Sequence, residues 1–184
     1  MTFNNDFDVK KFYIGKKENI NSVSNELVDD FLLQKSNGNL NIAKQLGAKL
    51  GENILLTSKN ICIRIRPKQS QNFIANIRIL LWVATIFALE STIKNEYILS
   101  VAKTSVNNYL QTNHNNFFGN INGSLALSLY TLCKRSTNKK HYGKCFAYLC
   151  GKSNNLKFIK LGDKIYKNFF ISTLQEIKKY NLKI

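Results

Sequence analysis

Between Arg78 and Glu90 the chain runs Ile79 to Leu89, 11 residues that are apolar except for Thr85. Extended upstream to Phe73, the segment has no polar side when wound as a helix. A helix that is apolar all round must be enclosed on every side, so the rest of the chain has to supply the helices that enclose it. The unbroken run falls short of the roughly 20 residues needed to cross a bilayer, so it reads as a central core helix and no membrane partner is expected. Everything else is constrained by that requirement. The chain has a single Pro and nine Gly, too little punctuation for an architecture of many strands and turns. At 184 residues with 44% apolar content, it is long enough to bury a core as one domain. The expected fold is mainly α, a single-domain helical bundle around residues 73–90. Within it, 1–52 form a charge-balanced N-terminal part and 53–184 a basic helical core.

The remaining elements are read from periodicity. A short strand is conceivable at Lys11 to Ile14. Val23, Leu27, Phe31 and Leu32 recur at helical spacing from Asn21, and the cluster Ser36-Asn37-Gly38-Asn39 should end that helix. A second helix is expected over Ile42 to Leu50. The next stretch, 53–66, alternates: Ile61, Ile63 and Ile65 against Cys62, Arg64 and Arg66, closed by Pro67. Period two predicts a minor β-hairpin with Asn53 to Thr57 as its first strand. Asn95 to Leu110 is amphipathic, with Ile98, Val101, Ala102, Val106, Tyr109 and Leu110 on one stripe. Leu125 to Cys133 fits helix or strand by itself, and its company favours helix; a short helix should come next at Tyr142 to Cys150. In the last helix Asp163 is the expected N-cap, with Ile165, Tyr166, Phe169, Phe170, Leu174 and Ile177 as the core stripe.

Charge supplies the functional signal. Up to Glu52 basic and acidic residues balance, whereas Asn53 to Ile184 holds 20 Lys or Arg against Glu90, Glu96, Asp163 and Glu176. The formal +16 therefore belongs to the last two thirds. With 25 Asn, 23 Lys and four Arg, the composition has the mark of an AT-rich genome. That bias favours Asp and Glu codons too, so it explains excess lysine and leaves the missing acid unexplained. A basic field of this size attracts polyanions. The expected partner is nucleic acid or a ribonucleoprotein machine, with an acidic protein surface as the alternative.

Two sets of residues concentrate the charge. Lys134, Arg135, Lys139, Lys140, His141 and Lys144 crowd around one turn, with Ser136, Thr137 and Asn138 between them suited to phosphate contact. Arg64 and Arg66 share one face of the expected strand, with Lys68 close behind, and Arg makes bidentate contacts that Lys cannot. The bland reading of both sets is a solvated surface.

Other chemistries find less support. Cys133, His141, Cys145 and Cys150 raise the question of zinc, but the C-x7-H-x3-C-x4-C spacing matches no common module. Neither a metal nor a cofactor is expected, and the four cysteines read as reduced thiols of a cytoplasmic chain. His141 has no carboxylate within 20 residues and His114 only Glu96, 18 residues upstream, and no phosphate-binding loop or dinucleotide fingerprint is present. A non-enzymatic binding protein is expected, ahead of an enzyme built on Glu90 and His141. Ala43 and Gly47 match a helix-turn-helix spacing, but the segment where a recognition helix should lie, Ile54 to Arg66, reads as β. The start MTFNNDFDVKK lacks an apolar signal core.

The run Gly143-Lys-Cys-Phe-Ala-Tyr-Leu-Cys-Gly151, with Leu161-Gly-Asp-Lys-Ile-Tyr-Lys-Asn-Phe169 downstream, resembles small uncharacterised helical proteins of low-GC Firmicutes. The resemblance covers about a quarter of the chain and implies a helical fold without a function. Small basic chains of AT-rich genomes without an enzyme site include phage and mobile-element accessories and inhibitors of host defence. That is the biological class expected.

Overall fold

A computed structural model describes residues 20–65, 71–114, 116–117, 123–135, 141–180 and 182. They form a bundle of α1 (Ile20–Ser36), α2 (Asn39–Ile65), α3 (Gln71–Thr92), α4 (Glu96–Asn113), α5 (Gly123–Arg135), α6 (Tyr142–Leu149) and α7 (Leu156–Lys179). The expectation of a mainly α bundle holds. The candidate strand at Lys11 to Ile14 lies outside the described residues.

The apolar run lies in α3, and α2, α4, α5, α6 and α7 all pack against that helix. Ile77, Ile79, Leu80, Leu81, Val83, Ala84 and Leu89 are completely buried. By length and composition α3 could cross a membrane, but its sides are taken by other helices. Some positions are less enclosed: Ile74, Arg78, Trp82 and Glu90 are only partly buried. Ile74 and Arg78 are neighbours on one part of the helix surface and line one cleft, and Trp82 and Glu90, further round the helix, line another. Trp82 is thus less shielded than its neighbours, and its indole N–H donates to Asn107 Oδ1 at 2.9 Å.

The expected hairpin at 53–66 is corrected: 53–65 is the continuation of α2. Ala43, Leu46, Leu50, Ile54 and Ser58 are buried at helical spacing, so the 3.6-residue period established upstream carries straight through the alternating stretch. The isoleucine alternation is not honoured by burial, and Ile63 is 69% exposed. A lone two-strand ribbon is marginal in water, whereas the continued helix satisfies its own backbone and packs on α3 and α4. The helix-turn-helix spacing fails for the same reason. Gly47 lies inside α2 facing α4, where an added Cβ would come within 2.6 Å of Ser105 Cβ. It permits a close helix crossing, and the Ser105 hydroxyl donates to the Lys44 carbonyl at 2.7 Å across it.

α1 also departs from expectation. It ends at Ser36 as anticipated, but Leu27, Phe31 and Leu32 are 50%, 39% and 52% exposed instead of lining the core. It rests on α2 at the margin of the bundle, and polar bonds hold its end. Asp30 accepts from Asn95 at 2.9 Å and from Gln34 at 3.1 Å, and Asn39 donates to Gln34 at 2.6 Å. Elsewhere the periodic readings hold: Ile98, Ala102, Val106 and Leu110 are the buried stripe of α4, and the ambiguous segment is helix α5.

α7 begins a full two turns before its expected start. Asn155 is the N-cap, its side chain accepting from the amides of Lys157 and Phe158. Asp163 instead accepts the Gly143 N–H at 2.6 Å, in the first turn of α6. The first turn of a helix leaves its N–H groups unpaired, and His141, at the N-cap of α6, makes no side-chain cap bond. Asp163 is therefore a capping carboxylate, as its residue type suggested, but it serves α6.

Candidate nucleic-acid interface

Most carboxylates of the basic region are already engaged. Glu90 accepts from Lys103 at 2.7 Å and from Lys134 at 2.9 Å. Burial works to raise its pKa, but the two ammonium groups outweigh this and hold the carboxyl below its usual range. Glu176 pairs with Lys179 at 2.6 Å, and Asp163 caps α6. Little negative charge is left to offset the other lysines.

That surplus is organised on α7. Lys157, Lys160, Lys164 and Lys167 are all exposed, at spacings of 3, 4 and 3. At 100° per residue this places them on one stripe, opposite the buried Ile165, Tyr166, Phe169, Thr173 and Ile177. The exposed Asp163 flanks the stripe, three residues from Lys160 and four from Lys167; Lys178 continues it beyond the half-exposed Ile171. The charged face of an ordinary surface helix mixes signs and gains from i,i+4 pairs. Like charges at that spacing cost about 0.2–0.5 kcal/mol per pair. These lysines stand at helical spacing in the sequence, on the side of the helix opposite its apolar stripe.

Arg64 adjoins this surface. It is exposed in the last turn of α2, where a cation suits the helix dipole. With Thr57 it lines a groove of about 420 Å³ whose other wall, on α7, carries Lys164, Asn168 and Ser172. Cations flanked by amide and hydroxyl groups are the usual equipment for phosphate contact. The strand face expected to pair Arg64 with Arg66 is replaced by helix, and Arg66 and Lys68 lie outside the described residues.

The basic turn is described at its two ends. Lys134 and Arg135 close α5, and His141 and Lys144 open α6; Lys139 and Lys140 fall outside the described residues. Lys134 is committed internally, bridging to Glu90 and lying 4.5 Å from the centre of the Phe87 ring. Arg135 and Lys144 are exposed, and His141 is partly buried. Arg135 shares a cleft with Trp82, Phe87, Glu90 and Lys103.

The cysteines separate into two kinds. The sulfur atoms of Cys133 and Cys145 lie side by side between α5 and α6, with Cα atoms 7.6 Å apart, wider than the roughly 4.4–6.8 Å that a disulfide usually spans. Cys62 and Cys150 are free. Burial pushes the Cys150 thiol up to about 12 and also raises that of Cys62. Among the described residues no group of three His, Cys, Asp or Glu side chains is arranged to hold a metal ion.

No protein-family model, characterised protein or solved structure matches the chain.

Proposed function

We propose that this protein binds nucleic acid, alone or within a protein–nucleic-acid machine, through the lysine stripe of α7 and the Arg64 groove beside it. The observation that supports this most directly is the run Lys157, Lys160, Lys164 and Lys167, exposed along one face of α7 and bordered by a single acid, Asp163. It spans about 15 Å, the length of about four base pairs of duplex. A helix that carries adjacent like charges is less stable alone than a mixed one, and phosphate contact converts that repulsion into attraction. Lysine is a point charge without a planar recognition edge, so the reading is of backbone binding with little sequence preference. Its role is binding, and no residue is assigned to catalysis.

The test is a fluorescence-anisotropy titration of duplex and single-stranded DNA and RNA over a salt series. Changing Lys157, Lys160, Lys164 and Lys167 together to Gln should weaken binding and lower the log–log salt slope by about 0.9 for each duplex phosphate no longer neutralised. Two further variants assign the other basic residues. Neutralising Lys139, Lys140 and Lys144 probes the turn between α5 and α6. Changing Arg64 and Arg66 to Lys keeps the charge and removes bidentate geometry. Wild-type protein that binds no polyanion with a salt-dependent affinity would refute the proposal and favour an acidic protein partner.

A further inference from the structure

A second site, unrelated to the lysine stripe, lies where the last third of α2, the first turns of α3 and the end of α4 converge. A cavity of about 760 Å³ opens there, lined by residues that include Leu55, Ile63, Phe73, Ile74, Arg78 and His114. The volume is within the usual range for small-molecule sites, about 300–1,000 Å³. It uses a different face of α2 from the Arg64 groove: Leu55, Lys59 and Cys62 line the cavity, whereas Thr57, Ile61 and Arg64 line the groove.

The walls are largely apolar, yet they carry two cations, the exposed Lys59 and the partly buried Arg78. Among the described lining residues none is a carboxylate. Arg78 lines the cavity together with Cys62 on α2 and His114 at the end of α4, and its positive charge works to lower the pKa of both. Arg78 Nε and His114 Nδ1 are both buried without a hydrogen-bond partner. The edge-to-face contact of the His114 ring with buried Phe117, centroids 6.2 Å apart, helps hold the ring in place. Leaving a buried polar group unmet is costly, more so when it is charged, so native structures keep few of them. Both residues line this cavity.

These walls dictate the chemistry of an occupant. A neutral apolar molecule would leave the guanidinium unmet, and a bare anion would leave the apolar walls against water. We propose that the cavity binds an amphiphilic carboxylate, its head group on Arg78 and His114 and its hydrocarbon body along Leu55, Ile63, Phe73 and Ile74. The carboxylate head sits against the Arg78 guanidinium and the His114 ring, while the body takes the place of water on the four apolar side chains.

The experiment is isothermal titration of the full chain at neutral pH with decanoate, alongside decanol and acetate. Decanoate should bind saturably, one per chain; decanol should bind at least tenfold more weakly, and acetate should give no saturable heat. Arg78→Gln should weaken decanoate at least tenfold and leave decanol unchanged. The variant with Lys157, Lys160, Lys164 and Lys167 changed to Gln should bind decanoate like the wild type. If Arg78→Gln does not fold, His114→Asn and the decanoate-to-decanol ratio of the wild type still decide. Equal binding of decanoate and decanol, or no saturable decanoate binding, would overturn the proposal. So would an affinity that depends on the α7 lysines, since that would place the anion on the surface.

Discussion

A methyl group added at Gly162 would lie 2.8 Å from Cβ and Cδ1 of Phe146, a side chain with no exposed surface. Neither partner can yield easily, because Phe146 is also stacked edge-on against Phe73 with centroids 5.8 Å apart. Gly162→Ala should therefore cost about 1–3 kcal/mol by overpacking, lowering the unfolding temperature by several degrees in a thermal melt. Gly38→Ala is the useful contrast: its φ of +77° strains any L side chain, but nothing lies within 4 Å. Its loss should stay near ~1 kcal/mol. Glu90 yields a prediction with a pH signature. Its folded-state pKa is held below the unfolded value by Lys103 and Lys134, so its contribution is present above the unfolded pKa and is lost as pH falls through the folded one. Glu90→Gln should destabilise the protein by about 1 kcal/mol near neutral pH, the scale of partly exposed ion pairs. The gap from wild type should close below about pH 4, which denaturant titrations at several pH values would reveal.

Among the elements, α7 sets folding against binding. Its inner face buries Ile165, Tyr166, Phe169 and Ile177, with Tyr166 stacked on Tyr142 at 3.7 Å between ring centroids. Its outer face carries the like-charged lysines. Changing Lys157, Lys160, Lys164 and Lys167 to Gln should leave stability equal or raise it by up to about 1 kcal/mol, since three neighbouring repulsions disappear. Circular dichroism melts would check this. A marked loss of stability would mean that the lysine stems cover apolar surface that matters to the fold. α3 shows why a segment can be apolar in sequence and still leave parts of its surface open. The neighbouring helices do not close completely over Ile74 and Arg78, nor over Trp82 and Glu90, and each pair lines a cleft of its own. α2 shows the reverse, since a short alternating tract is outweighed by the longer period in which it is embedded.

At the scale of the whole molecule, +16 over 184 residues makes self-repulsion a standing cost of the compact state. Added inert salt should therefore raise the unfolding temperature by a few degrees between roughly 10 mM and roughly 0.3 M, as the screening length falls from about 30 Å to less than about 10 Å. A melting temperature that fell over that range would show that attractive ion pairs outweigh repulsion. The same salt series should weaken nucleic-acid binding, so folding and binding should respond to salt in opposite directions. By itself the sequence determined the helical class, the central placement of 73–90, the stripes of α4 and α7 and the concentration of basic charge, because each depends on spacing or composition along one segment. Tertiary structure alone decided that Asp163 caps α6 instead of α7, whereas the helical course of 53–65 already lay in the period that runs from Ala43 to Ser58. Tertiary structure also left the apolar residues of α1 exposed and placed Arg78 and His114 in one cavity. Those outcomes depend on which faces of different helices meet, and local periodicity carries no information about the neighbour on the other side of a contact.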